Sequence, residues 1–374
     1  MASVRFEHVS KNFDKKVQAV KNFNLEVGNK EFVVLIGPSG CGKTTVLRLL
    51  AGLEKPDEGN LYIADQLVNK VEPKDRSLAL VNQTYALYPH LTVYRNIAFP
   101  LEVAKMPVDE IDRRVRAAAH LLELEPFLKQ KPKTLSGGQM QRVAIGRSLV
   151  RSPKVFLMDE PFSNLDIQFR AGMHTQIQRL HERISASFLF VTHDQQEAMA
   201  LADRIVVMNH GEVQQIDTPQ NILQKPANMF VADFFGNSTI NFMDTTLVSY
   251  ENGFALQLED LLLPIPAEKT SDPSVSDNLN RYLNQKVVLG IRPEDFSVRE
   301  TALNNPKYPK LTARILRTEM QGGENYYYLQ LQNTTFTARL GTGWSDFADG
   351  QIRVALNTDH IHIFDPESQQ AICN

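Results

Sequence analysis

Three glycines, a lysine and two threonines stand at phosphate-binding spacing in Gly37-Pro38-Ser39-Gly40-Cys41-Gly42-Lys43-Thr44-Thr45. Glycines let backbone N–H groups converge on an anion, and a helix starting at such a loop adds the partial positive charge of its N-terminus. In the pattern G-x-x-x-x-G-K-[ST], Lys43 reaches the β- and γ-phosphates and the Thr44 hydroxyl holds Mg²⁺. A Gly/Ser loop can match this pattern by chance, so the flanks matter. The apolar run Phe32-Val33-Val34-Leu35-Ile36 before it predicts a buried strand, and Val46 to Ala51 after it predicts a helix with one apolar side. Strand, loop and helix together predict a nucleoside triphosphate site with Mg²⁺.

Two further stretches carry chemistry. Met158-Asp159-Glu160 closes the apolar run Val155-Phe156-Leu157-Met158 and looks like a Walker B site. Asp159 there binds Mg²⁺, commonly through water, and Glu160 polarises the attacking water; the plain alternative is an acidic cap after a strand. Leu135-Ser136-Gly137-Gly138-Gln139 opens a helix whose Val143, Gly146 and Val150 share one side. Ser136 caps it, and a Ser-Gly-Gly helix N-terminus is a second anion site.

The elements that must position these residues follow from pattern. Strands are predicted at Val4 to Val9, Asn24 to Val27, Leu61 to Ile63, Phe188 to Val191 and Arg204 to Met208, the last leading into a hairpin turn at Asn209 to Glu212. Lys11 to Lys16 reads as a polar loop. From about Tyr85 to Leu149 the pattern is helical, with Ile111, Val115, Ala118 and Leu122 on one face of a helix capped by Asp109. Strands alternating with helices predict a mostly parallel sheet with its ligand at the strand C-termini. Past about Gly236 short strands take over, at Phe254–Leu258, Val287–Ile291, Leu311–Leu316, Tyr326–Leu331, Thr335–Leu340 and Ile361–Phe364, separated by polar loops over 268–280 and 300–310. That predicts an all-β second domain, a small barrel or sandwich.

At 374 residues the chain suits two domains. A formal net charge of -3 argues against bulk nucleic-acid binding. Two cysteines, Cys41 and Cys373, make no disulfide framework and fit a reducing cytosol. No apolar run approaches the roughly 18 residues of a spanning helix. The opening residues 1–8 hold no signal-peptide core, so a membrane role is expected to come through a partner.

The Leu-Ser-Gly-Gly-Gln run, standing about twenty residues before Asp159, resembles the signature of the nucleotide-binding subunits of ABC transporters. The resemblance implies an ABC-type P-loop NTPase domain over 1–235, with its helical subdomain over about 85–150, followed by an OB-like regulatory domain over 236–374. It implies roles residue by residue. Phe13 looks like the aromatic that stacks on adenine, and Ser39, Gly40, Cys41, Gly42, Lys43, Thr44 and Thr45 like the loop around the phosphates. Gln83 looks like the Q-loop glutamine that contacts Mg²⁺ and senses the transport subunit, although Asn82 before it departs from the bulkier residue usual there. Ser163 to Asp166 looks like the D-loop facing the opposite subunit, and His193 like the switch histidine on the γ-phosphate. Glu160, His193, Lys43 and Gln83 are thereby the expected catalytic set, and Thr44, Gln83 and Asp159 the expected Mg²⁺ set. The family pairs two subunits head-to-tail, so Ser136, Gly138 and Gln139 of one are expected to complete the phosphate site of the other. Asp166 would contact that site too.

Ile291-Arg292-Pro293-Glu294-Asp295 resembles the OB-like domain of one set of importer ATPases. Tyr85 to Val93 resembles the region of the maltose and multiple-sugar branch that docks a permease. The resemblance implies a homodimer, or a heterodimer with a paralogous ATPase, on the cytoplasmic face of a membrane. Two permease subunits would be its partners, with an extracytoplasmic solute-binding protein acting indirectly and a regulatory protein at the second domain. Related subunits serve glycerol-3-phosphate, polyamine, sulfate or iron uptake. A second functional class is a soluble ABC ATPase acting on ribosomes or DNA, but those usually carry two fused cassettes or a long coiled-coil insertion, and this chain shows one cassette and no heptads. A third makes the β domain a binding module for a regulatory protein or, by OB analogy, an oligonucleotide, against which the near-neutral charge argues.

Overall fold

The computed structural model describes residues 3–13, 17–163, 167–236, 238–251, 253–341 and 350–374. The chain forms two compact units that divide between Pro219 and Gln220.

The first unit is organised by strand β3 (Phe32–Ile36), whose five residues are all buried. A strand covered on both faces reads as an unbroken apolar run, as this one does. It pairs in parallel with β8 (Ser187–Thr192) on one side and β9 (Arg204–Asn209) on the other. β7 (Val155–Asp159) and β6 (Leu78–Val81) continue the parallel sheet beyond β8. Strand β10 (Glu212–Asp217) closes the other edge antiparallel, giving the order β10-β9-β3-β8-β7-β6. A second, four-stranded sheet in the order β2-β1-β4-β5 is built from β1 (Val4–Phe13), β2 (Val17–Val27), β4 (Glu58–Ile63) and β5 (Gln66–Leu67). Helix α1 (Lys43–Ala51) buries Val46, Leu47, Leu49 and Leu50 in one core with side chains of both sheets. On the opposite face of the parallel sheet, Phe188 stacks between Phe32 and Phe156, with 5.1 Å between ring centroids each time. Met173, Ile177 and Leu180 of α5 (Ile167–Arg183) are buried as well.

Several details of the first unit differ from the sequence reading. Lys11 to Phe13 belong to β1 and pair with β2, so no loop starts at Lys11; Asp14 to Lys16 lie outside the described residues. β6 carries no alternation and was not foreseen; it is a short, largely buried strand at the edge of the sheet, paired in parallel with β7. The helical layer consists of α2 (Val93–Val103), α3 (Val108–Leu121) and α4 (Gly137–Leu149). Ile111, Val115, Ala118 and Leu122 are buried as the spacing required. Asp109 stands inside the first turn of α3 and Pro107 is the N-cap, so the acid helps through the helix dipole.

The second unit contains two antiparallel sheets sharing one core. One has six strands: β11 (Asn241–Tyr250), β12 (Gly253–Leu258), β13 (Leu261–Pro264), β14 (Lys286–Ile291), β20 (His362–Phe364) and β21 (Ala371–Cys373). The other has five: β15 (Phe296–Ser297), β16 (Lys310–Gln321), β17 (Glu324–Leu331), β18 (Thr334–Leu340) and β19 (Gln351–Leu356). Residues 220–235, which pattern placed with the first domain, are part of this unit. Helix α7 (Met229–Phe234) opens at a cap in which Asn228 accepts from the Val231 N–H. Met229 N–H bonds to the Gln369 carbonyl and Ala371 N–H to the Ala227 carbonyl. The predicted loop at 268–280 instead holds two short helices, 267–270 and 273–281. The second is started by Asp272, which accepts from the Ser274 N–H, and by Pro273 at its first position. It buries Leu279 and packs Val275 against the same core, a short apolar i, i+4 pair among polar residues. The loop at 300–310 likewise begins with a short helix at 300–303.

Candidate functional site: a phosphate loop and two acidic strand ends

The loop 37–42 joins the C-terminal end of β3 to α1, and two of its glycines are sterically required. A Cβ on Gly37 would stand 2.2 Å from the Met208 carbonyl oxygen. A Cβ on Gly42 would stand 2.1 Å from that of Ala19, and Gly42 also has φ +107°. Ser39 and Gly40 lie exposed at the tip of the loop. Cys41 points inward; its side chain is buried in the core and its N–H donates to the Pro38 carbonyl. Lys43 is buried, and its Nζ donates to the carbonyls of Gly37 at 2.8 Å and Pro38 at 2.9 Å. The ammonium thus spans the loop from inside. No side chain caps α1, so the N–H groups of its first turn, Lys43 to Thr45, face outward without intrahelical partners.

Neighbouring strand ends bring the acids to this loop. Thr44 Oγ1 donates to Asp159 Oδ1 at 2.9 Å, joining α1 to the end of β7. Burial pushes the Asp159 carboxyl up, with the Glu160 charge adding to it against the Thr44 hydrogen bond. A hydroxyl and a carboxylate oxygen that meet in a partly dry site are hard-oxygen ligands of the kind Mg²⁺ takes together with phosphate oxygens. Glu160 has φ +44°, its N–H bonds to the Val191 carbonyl, and its own carbonyl accepts from the Ser163 hydroxyl. This left-handed turn, costing about 1–2 kcal/mol, aims the side chain off the end of the sheet. There Oε2 of Glu160 meets Nδ1 of His193 at 3.3 Å.

The other expected site residues fall in three groups. Gln83 is exposed two positions beyond β6, which runs parallel to β7 with Val81 opposite Met158. Phe13 ends β1 with its ring partly exposed and Lys11 Nζ 5.4 Å above it. Ser136 is the N-cap of α4 in a capping box: its Oγ accepts from Gln139 N–H, and Gln139 Oε1 accepts from Ser136 N–H at 2.8 Å. The Gln139 carboxamide oxygen is therefore committed to the cap. A Cβ on Gly138 would meet nothing within 4 Å, so nothing described in this chain requires a glycine there. Asp166 lies outside the described residues.

Pattern missed two positioning residues. Asn96 is fully buried on α2; its Oδ1 accepts from Tyr88 N–H and its Nδ2 faces the carbonyls of Tyr88, Leu91 and Thr92. Arg147 of α4 donates to the carbonyls of Ala86 at 2.6 Å and Tyr85 at 3.2 Å. Together they fasten the segment after Gln83 to α2 and α4. An asparagine on an otherwise apolar helix face was the available signal for the first; nothing local marked the second.

An ABC transporter model matches residues 20–163, and a MalK OB fold domain model matches residues 239–296. The oligosaccharides import ATP-binding protein MsmX of Bacillus subtilis is 44% identical over 375 residues, covering 100% of both chains. The osmoprotective compounds uptake ATP-binding protein GgtA of Synechocystis is 46% identical over 373 residues, again over 100% of both. Among solved structures, the dimeric post-hydrolysis ATP-binding cassette MJ0796 bound to ADP and Pi matches 58% of this chain and 98% of its own. That match has a TM-score of 0.51 and 33% identity. The chain belongs to the ABC transporter family. It is an ABC-type, nucleotide-binding ATPase with a C-terminal OB fold of the MalK kind.

Proposed function

We propose that this ATPase powers uptake of a sugar or oligosaccharide through two permease subunits, from the cytoplasmic face of the membrane. The observation that carries this reading is full-length similarity, through the second domain, to an oligosaccharide import ATP-binding protein. Among the described residues no helix is long and apolar enough to cross a membrane, consistent with a path supplied by other chains. The similarity to an osmoprotectant uptake protein favours one alternative, an importer for another small polar solute. A solute-binding protein would deliver the cargo, and a regulatory protein would act on the second domain.

At the site, the free N–H groups of α1 and the Lys43 ammonium hold the phosphates, and the Phe13 ring stacks on the base. Thr44 and Asp159, with Gln83 nearby, would hold Mg²⁺, which neutralises phosphate charge when bound. Glu160 accepts a proton from the water that attacks the γ-phosphorus; the bond from that phosphorus to the β–γ bridging oxygen breaks, leaving ADP and phosphate. His193 orients Glu160 and the γ-phosphate. Ser136 and Gly138 serve the site of a second subunit. Their helix start is capped by its own residues; Gly138 is buried within the chain, though a Cβ there would meet nothing within 4 Å.

The test is purification from the native membrane with mass spectrometry of what accompanies the chain, followed by ligand screening of any solute-binding protein found. Two multi-spanning permeases and a sugar-binding protein are expected. Ribosomal proteins or a transcription regulator in their place would end the import reading while leaving the ATPase intact.

A further inference from the structure

A run of buried polar contacts stands behind His193, made by residues with no place in the nucleotide-binding set. Thr192 and Glu197 are both buried, at 2% and 3% exposure. Thr192 Oγ1 donates to Glu197 Oε2 at 2.6 Å, and the same hydroxyl accepts from Asp194 N–H at 2.9 Å. Asp194 in turn caps α6 (Gln195–Leu201), its Oδ1 accepting from the N–H groups of Gln196 and Glu197. His193 therefore sits between two residues whose positions depend on one carboxylate. On its other side Glu197 Oε1 lies 3.8 Å from Nε2 of His174 on α5, a buried nitrogen without a hydrogen bond. The His174 ring packs against Phe162, two positions past Glu160.

Burying a carboxylate costs more than burying an apolar side chain, and packing α6 on β8 does not need one. What this carboxylate does here is geometric. We infer that Glu197 is a positioning residue for hydrolysis: through the Thr192 hydroxyl it fixes the backbone on both sides of His193 and so holds the imidazole against Glu160. This rests on reading Glu160 and His193 as the hydrolytic pair. Ile36, at the entry to the loop 37–42, stands beside Thr192 in the β3–β8 ladder, but the side chains of Lys43, Thr44 and Asp159 bond to groups other than Thr192 and Glu197, so nucleotide binding should feel their loss little.

The experiment uses the purified full chain, with steady-state ATP hydrolysis and ATP affinity measured for each variant. Glu197→Ala is expected to lower kcat by about tenfold or more, the scale of a sub-ångström to 1 Å misplacement, with the Kd for ATP changed less than about twofold. Glu197→Gln, whose carboxamide oxygen can still accept from Thr192, should recover most of kcat. Thr192→Ser should behave like wild type and Thr192→Val like Glu197→Ala. An unchanged kcat in Glu197→Ala, equal loss in the Gln and Ala variants, or parallel loss of kcat and ATP affinity would each overturn the inference. If Glu197→Ala does not fold, the Thr192 pair decides: Val and Ser variants with equal kcat would overturn it. Glu160→Gln and His193→Ala are measured alongside. Full turnover in both would remove the hydrolytic pair itself, whereas their loss with a silent Glu197→Ala would remove the positioning role alone.

Discussion

Nδ1 of His193 and Oε2 of Glu160 stand 3.3 Å apart, across the ends of two adjacent parallel strands. Neither residue makes this geometry alone. Glu160 is turned toward the imidazole by its left-handed backbone, and His193 is the residue after the last position of β8. Replacing Glu160 by glutamine keeps its shape and removes its basicity. Turnover should fall about 10²–10⁴-fold with ATP binding retained, so that ATP holds two subunits together. Single-turnover hydrolysis and sizing with ATP check both parts; normal turnover would take Glu160 out of the mechanism.

Ser136→Arg is expected to leave ATP affinity of the single chain unchanged and to block ATP-induced pairing. The cap itself is worth about 1 kcal/mol, so the melting point should move only a little. Sizing in a Glu160→Gln background reads the result, and undiminished pairing would count against a head-to-tail arrangement.

Gly42→Ala meets both a left-handed φ of +107° and a carbonyl 2.1 Å from the new Cβ. Either the loop or strand β2 at Ala19 must move. ATP affinity should drop at least tenfold, and stability by about 1–3 kcal/mol, by calorimetric titration and thermal melting. Gly40→Ala, with the same sign of φ but open space around it, should cost less.

Phe13→Ala removes a partly exposed ring and little core, since the residue is 38% exposed. If the ring stacks on the base, ATP affinity falls by the worth of one base–aromatic contact, about 1–3 kcal/mol, while tripolyphosphate affinity stays the same. Equal weakening of both ligands would assign Phe13 to the fold instead.

In the second unit, burial pushes the His362 imidazole down to about 4 from 6.5, against a hydrogen bond with Asn374. The folded state thus binds this proton less readily than the unfolded chain. Above about pH 6.5 the group costs nothing; as pH falls toward 4 the unfolded state takes the proton first and stability is lost, up to about 3 kcal/mol. A His362→Gln variant should show a flatter stability curve between pH 6.5 and 4 in denaturant titrations. Parallel curves for the two proteins would rule the group out.

The phosphate loop, the acidic strand end and the capped Ser-Gly-Gly turn were legible from sequence because each is a local device. A glycine loop followed by Lys-Thr, a serine that caps its own helix and an unbroken apolar strand announce themselves within a few residues, whereas the carbonyls of Met208 and Ala19 that force Gly37 and Gly42 come from elsewhere in the chain. Of the second unit's strands, β12, β14, β16, β17, β18 and β20 were legible, while β11, β13, β15, β19 and β21 and the short helices at 267–270 and 273–281 were not. Tertiary structure decided what depends on residues far apart in the chain. The Thr44–Asp159 hydrogen bond joins positions 115 apart, and Arg147 reaches carbonyls 61 and 62 positions away. The parallel sheet brings the ends of β3, β7 and β8 side by side, which no spacing along the chain could reveal. Cys41 and Gln139 show the same division: their places in motifs are read from sequence, but only packing turned the thiol inward and committed the amide to the cap.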